Sequence, residues 1–212
     1  PKLVKALAQR MRASLLPGET PLDKAQLDEA ARFVLAAATG RREGAALAIE
    51  SVGAPRRLLR IAIANPDMPF LVDSAAAAIA GEGLAIDTLL HPVIPVERGK
   101  GGDIAAIPAE DAEDADYESL IYIETERVDA KKRTGLRETL AATMADVHAA
   151  VGDWPRLQAA MRADADAIEG ADSESAELLR WLDGGMLTQL GHLVRHRDGT
   201  VSEREGICRA NA

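Results

Sequence analysis

The chain has 212 residues, 47% of them hydrophobic, and a formal charge of −9, which is enough apolar content to bury a core in one domain with appendages or in two small ones. The acidic balance, with a pI near 5.0, repels nucleic acid unless a basic patch overcomes it, and the sequence shows no such patch. No apolar run approaches the ~20 residues of a membrane span, and the lone Cys208 excludes an internal disulfide and fits a reducing compartment, with the cytoplasm as the default. Neither nucleic acid nor a membrane is an expected partner. Aromatic residues are 3% of the chain, so the core must come from Ala, Leu, Ile and Val.

From the N-terminus, Leu3, Val4, Leu7, Met11 and Leu15 recur at helical spacing, and Pro17-Gly18 closes the segment. Thr20-Pro21-Leu22-Asp23 then supplies an N-cap, a proline for the first helical position and an acid, ahead of Leu27, Ala31, Val34, Leu35 and Ala38. Residues 1–40 are therefore expected to form a helical hairpin, its apolar stripes facing the main domain or another chain.

The period then changes. Residues 45–52 are a weak strand candidate and residues 57–64 a strong one. Asn65-Pro66 stops the second strand, and Asp67 is expected to cap a helix whose first turn holds Pro69 and whose inward positions are Leu71, Ala75, Ala78 and Ile79. A strand follows from Leu84 through His91-Pro92 to Val96, where two prolines imply an edge, a bulge or an exit. Residues 99–116 read as a solvated hairpin connection, with Glu110, Asp111, Glu113, Asp114 and Asp116 lacking the EF-hand ligand spacing. Residues 117–128 alternate as a strand with Tyr122, Glu124 and Glu126 on a solvated face. The next helix carries Leu136, Leu140, Met144, Val147 and Val151, stops at Gly152 and restarts at Asp153-Trp154-Pro155. Another covers residues 173–183, with Trp154 and Trp181 as packing anchors, and a last strand covers residues 186–197. The order is β-α-β-β-α-β, an α+β ferredoxin-like sandwich with an antiparallel sheet and extra helices inserted before the last strand. The expected domains are 1–40, 41–206 and a connecting piece, 207–212, that reads as an interrupted segment.

Chemistry-bearing motifs are sparse. Gly99-Lys100-Gly101-Gly102 lies between strands, not between a strand and a helix, so no nicotinamide cofactor is expected within this stretch. There is no Walker loop and no nucleophile elbow. On a strand, the spacing of His192 and His196 separates them by ~13 Å, too far to chelate one ion. His148 reads as a polar flank. The open helix start after residue 65, flanked by His91 at a strand end, is the candidate ligand site, set against plain structural punctuation.

The run from Asn65 to Ser74 (NPDMPFLVDS), then His91-Pro92, then Glu118-Ser119-Leu120-Ile121-Tyr122-Ile123-Glu124, then Asp146-Val147-His148 before Asp153-Trp154, resembles in its order the N-terminal, ACT-like region of the large bacterial NAD-specific glutamate dehydrogenases. The resemblance implies an ACT-like fold and a non-catalytic regulatory or assembly role. It implies a parent enzyme that oxidises L-glutamate with NAD elsewhere in its chain. As partners it implies other domains of that chain, a homo-oligomer and an amino-acid effector. Asp67-Met68-Pro69-Phe70-Leu71 is similar to the ACT Asp/Asn-x-Pro-Gly-Leu motif between first strand and helix, which marks Asn65, Asp67, Met68, Pro69, Phe70, Leu71, Asp73 and Ser74, with His91 added for its place at the strand end, as the candidate ligand-binding residues, with no catalytic and no metal residue. Phe70 stands where that motif has glycine, so its ring is expected either to obstruct the ligand position or to fill the pocket and lock a domain interface.

Overall fold

A computed structural model describes residues 2–15, 21–41, 43–109 and 115–209. The chain divides into two compact units, residues 1–144 and 145–212.

In the first unit, helices α1 (Lys2–Ala13) and α2 (Lys24–Ala38) form the expected hairpin. The cap of α2 is Asp23, not Thr20, which lies outside the described residues along with Pro17 and Gly18. The Asp23 carboxylate accepts the Gln26 N–H at 2.9 Å, and the Gln26 side chain takes the Asp23 N–H at 2.8 Å. Two orphan donors are thereby satisfied at once.

The strands β1 (Ala46–Ser51), β2 (Leu58–Pro66), β3 (Ile86–Leu90), β4 (Val93–Arg98), β5 (Ile104–Ala106) and β6 (Asp116–Glu126) make one sheet in the order β1-β2-β6-β4-β5, with β3 also on β6. All its pairings are antiparallel. Strands β3 and β4 are two lengths of the single strand expected there, separated at His91-Pro92. Pro92 cannot donate, but its carbonyl accepts the Leu120 N–H at 3.0 Å, so the break stays attached to β6. Helix α3 (Leu71–Gly81) follows β2, and α4 (Ala130–Ile168) follows β6.

This is the expected α+β, ferredoxin-like sandwich, with one difference. The place beside β2 belongs to β1, which precedes it in the chain, and not to residues 186–197. Leu47 and Ile49 pair with Ile63 and Ile61, so a short hairpin delivers the edge strand locally. Arg137 of α4 then donates to the Leu47 and Ile49 carbonyls, each at 3.3 Å, and blunts that edge.

Strand β6 is buried along most of its length, on both faces, which corrects the expectation of a solvated face. The even-numbered face (Ala62, Ala64, Leu120, Tyr122) is covered by Leu7, Met11, Leu27, Ala30, Ala31 and Val34 of α1 and α2. Its acids are neutralised in place. Glu118 accepts from Arg98 Nε and Nη2 at 2.6 and 2.7 Å and pairs with Arg41, and Glu124 takes both Arg56 nitrogens and the Tyr122 hydroxyl. The opposite, odd-numbered face carries the buried Ile61, Ile63, Ile121 and Ile123, and α3 and α4 contribute the buried Leu71, Ala75, Ile79, Leu136 and Leu140.

In the second unit α4 does not stop at Gly152. Val147, Ala150, Leu157 and Ala165 stay buried in one helical phase, and burial of that stripe outweighs the one backbone bond lost at Pro155. Helix α5 (Ser173–Trp181) leads into a π-helical turn, Leu182–Met186. The strand expected from residue 186 is shorter, β7 (Gly191–Arg195), and pairs with β8 (Val201–Gly206) in a sheet of its own. Asp153, 3% exposed, pins this hairpin to α4: it accepts the Gly206 N–H at 2.7 Å and pairs with Arg156 and Arg209. Trp181 is 59% exposed, so it does not serve as the packing anchor expected.

Candidate functional site

The site is built where β2 leaves the sheet. Pro66 ends the ladder opposite Glu118, and the Asp67 N–H donates to the Tyr117 carbonyl at 2.9 Å, so the loop stays fastened to β6. Asp67 does not cap α3. Its Oδ1 accepts the Ser119 hydroxyl at 2.6 Å, and Ser119 Oγ lies 3.0 Å from His91 Nε2. A serine has one proton, and this one is committed to the carboxylate, so His91 Nε2 is the donor of its pair and Nδ1 is left as the acceptor of the neutral ring. Burial pushes the His91 pKa below its ordinary value, and the Asp67 charge opposes that only in part. The His91 N–H also donates to Ser14 Oγ at 3.2 Å, and Ser14 donates to the Met11 carbonyl at 2.9 Å. The strand break is thus tied to the end of α1.

Asp67, Ser119 and His91 are the three residue types of a nucleophilic triad in the wrong order. In a triad the imidazole takes the serine proton and the carboxylate orients the imidazole. Here the carboxylate holds the serine proton directly and Ser119 is fully buried. The arrangement joins β2, β6 and the β3–β4 corner, with the serine proton on the carboxylate side and not on the imidazole side.

Phe70 occupies the N-cap of α3 with φ 72° and ψ −1°, and offers no side-chain cap. Its carbonyl receives the Ser74 N–H at 3.0 Å. This left-handed conformation costs a non-glycine residue roughly 1–2 kcal/mol, so the glycine of the similar ACT motif suits the position for its backbone rather than only for ligand approach. The ring does not fill the pocket as a core residue would, because Phe70 is 47% exposed. Beside it lies a cavity of about 410 Å³ lined by Ser14, Met68, Pro69, Phe70, Leu71, Val72, Asp73, Leu89 and His91. That volume falls in the range of small-molecule pockets, with mostly apolar walls and a few polar groups. Asp73 in the first turn of α3 complements the helix dipole and favours a cationic group over an anionic one.

Of the expected site residues, Met68, Pro69, Phe70, Leu71, Asp73 and His91 meet at the cavity, while Asn65, Asp67 and Ser74 do not line it. Asn65 is fully buried and its Nδ2 donates to the Pro66 carbonyl at 2.7 Å. Sequence reasoning missed Val72, which lies inside the expected loop, Ser14 and Leu89, to which no local pattern pointed, and the role of Ser119, whose signal was a small polar residue at an inward position of an isoleucine-rich strand. His192 and His196 find separate partners, Asp164 at 3.1 Å and Ser202 at 2.8 Å. Glu110, Asp111, Glu113 and Asp114 lie outside the described residues.

Residues 46–140 match the family described as glutamate dehydrogenase, ACT1 domain. The match begins at the first residue of β1 and ends in the early turns of α4, so it takes in the whole sheet with α3. Two relatives are similar over this region, both described as NAD-specific glutamate dehydrogenase. That of Pseudomonas aeruginosa is 29% identical over 125 residues, 58% of this chain and 7% of its own. That of Halomonas elongata is 29% identical over 144 residues, 62% of this chain and 9% of its own. The chain thus matches less than a tenth of the length of these relatives.

Proposed function

We propose, on the premise that this chain belongs to the N-terminal ACT-like region of the NAD-specific glutamate dehydrogenase family, that it is a non-catalytic regulatory and assembly region of such an enzyme. The parent chain then converts L-glutamate, NAD and water to 2-oxoglutarate, ammonia and NADH in a separate cytoplasmic domain, where NAD binds. One observation carries the assembly role. Leu178, Trp181, Met186, Leu187, Leu190, Leu193 and Ile207 are all more than a third exposed within residues 178–207 of the second unit, an apolar density that supports an interaction surface there. The expected occupants are other domains of the parent chain or another subunit of a homo-oligomer.

Co-sedimentation of the 212-residue chain with the separately expressed remainder of the parent enzyme tests this. Binding that is lost in Trp181→Asp/Leu190→Asp supports it, and failure of the unmodified chain to co-sediment refutes it.

The second reading, an amino-acid sensor, is favoured by the cavity beside α3. It requires that the ligand bind two states of the enzyme with different affinity. Calorimetry of the parent enzyme with a panel of amino acids is expected to give a heat that His91→Ala or Asp73→Ala abolishes; a panel that gives no heat removes the reading.

A further inference from the structure

A concentrated basic corner lies at the hairpin end of the sheet, although the chain as a whole is acidic and its sequence announces the corner with no more than the short runs Arg56-Arg57 and Lys131-Lys132-Arg133. Residues 51–58 and 126–133 bring six cations, Arg56, Arg57, Arg127, Lys131, Lys132 and Arg133, against two carboxylates, Glu126 and Asp129, in a chain of formal charge −9. Topology collects them. The last rung of the β2–β6 ladder pairs Leu58 with Glu126, so Arg57 and Arg127 flank it from the two strands. The Val52 N–H to the Leu58 carbonyl, 2.8 Å, and the Arg57 N–H to the Gly53 carbonyl, 3.0 Å, close the hairpin. Arg133 donates to Ser51 Oγ at 3.0 Å and holds the first turns of α4, with Lys131 and Lys132, beside the end of β1.

The local acids are already engaged or outnumbered. Glu124 is spent on Arg56 and Tyr122, and Asp129 caps α4 by accepting the Lys132 N–H at 2.8 Å. Among the described residues the side chains of Arg57, Arg127, Lys131 and Lys132 have neither an ion-pair nor a hydrogen-bond partner. The backbone adds an independent sign. Arg57 holds φ 48°, a strained conformation for a side-chain-bearing residue that turns and helix caps normally give to glycine, and strain of this kind concentrates at functional positions.

We propose that this corner binds an acidic segment of a polypeptide. Neither segment carries an aromatic residue on which bases could stack, and the exposed large apolar side chains all lie elsewhere, leaving nothing to insert into a bilayer. What remains is a group of four unpaired cations on a hairpin and a helix start, complementary in charge to a run of glutamates and aspartates and rate-enhancing at low salt.

The test uses the 212-residue chain and a fluorescently labelled poly-glutamate peptide, read by anisotropy at two salt concentrations. Three variants are compared: Arg127→Glu/Lys131→Glu/Lys132→Glu, Arg57→Gly, and Lys2→Glu/Lys5→Glu/Arg12→Glu, which makes the same change of net charge on α1. The expected result is salt-sensitive binding that weakens at least tenfold in the first, about threefold in the second, and not at all in the third, with Arg57→Gly melting no lower than the unmodified chain. No binding by the unmodified chain overturns the proposal, as does an equal loss in the α1 variant. Tighter binding of a duplex oligonucleotide or of phosphatidylserine vesicles than of the peptide overturns it too.

Discussion

Replacing Phe70 by glycine and, separately, by alanine isolates the backbone at the start of α3. Both substitutions delete the same ring. With the residue 47% exposed, the ring hides on the order of 100 Å² from water, so either variant loses about 2–3 kcal/mol of burial. That loss cancels between them and leaves the conformational term. Alanine at φ 72° pays roughly 1–2 kcal/mol that glycine does not, while glycine gives back roughly 0.5–1 kcal/mol through the greater freedom of its unfolded chain. Phe70→Gly is therefore expected to be the more stable variant by about 0.5–1 kcal/mol, the reverse of the order in a helix interior. Urea unfolding followed by far-ultraviolet circular dichroism reads the difference, and the melting temperatures should differ by about 1–4 °C in the same direction. If Phe70→Ala is as stable as Phe70→Gly, the left-handed cap is not what shapes this corner.

Glu118→Ala leaves the Arg41 and Arg98 guanidinium groups at the C-terminal end of α2 without their shared carboxylate, and the expected cost in urea is about 3–5 kcal/mol; a loss below ~1 kcal/mol would show that water reaches the pair. His91 has a folded pKa below its unfolded value, because burial disfavours the imidazolium. The unfolded chain therefore takes the proton first, and stability falls as pH drops through about 6.5. His91→Gln should flatten that slope, and a folded-state His91 titrating by NMR at or above the ordinary value would contradict the assignment. Asp153 behaves in the acid range. Burial works against its ionisation, but the Gly206 N–H and the Arg156 guanidinium outweigh that and hold its pKa below the ordinary carboxylate value. Its contribution is present above about pH 4 and lost as pH falls through the folded-state value; Asp153→Asn should remove that acid sensitivity from hydrogen-exchange protection of β8, and an unchanged profile would refute it.

The main sheet and its helices were legible because each strand carries its own alternation and each helix its own stripe: Leu59, Ile61 and Ile63 needed no partner to be read as one face. The identity of the closing strand was not legible. Residues 46–51 and 191–195 are comparably weak alone, and which of them joins β2 depends on a hairpin and on Arg137 reaching the edge from a helix 90 and 88 residues away. The false solvated face of β6 had the same origin. Glu118 and Glu124 look exposed until Arg41, Arg98 and Arg56 arrive from distant segments to neutralise them. At the candidate site the cavity walls from Met68 to Asp73 were local and readable. The Asp67–Ser119–His91 contact spans 52 and 28 residues and left no periodic trace.

The position of β1 also bears on the order in which the protein can fold as it is made. A sheet closed by a strand from residues 186–197 would have to wait, with an open edge, for the end of the second unit to leave the ribosome. Because Ala46–Ser51 fills that place, every strand of the main sheet has been synthesised by Glu126, and Arg137, which covers its edge, follows eleven residues later. The first unit can thus settle during translation while the second is still emerging, and the aggregation hazard of an unpaired edge in a nascent chain is brief.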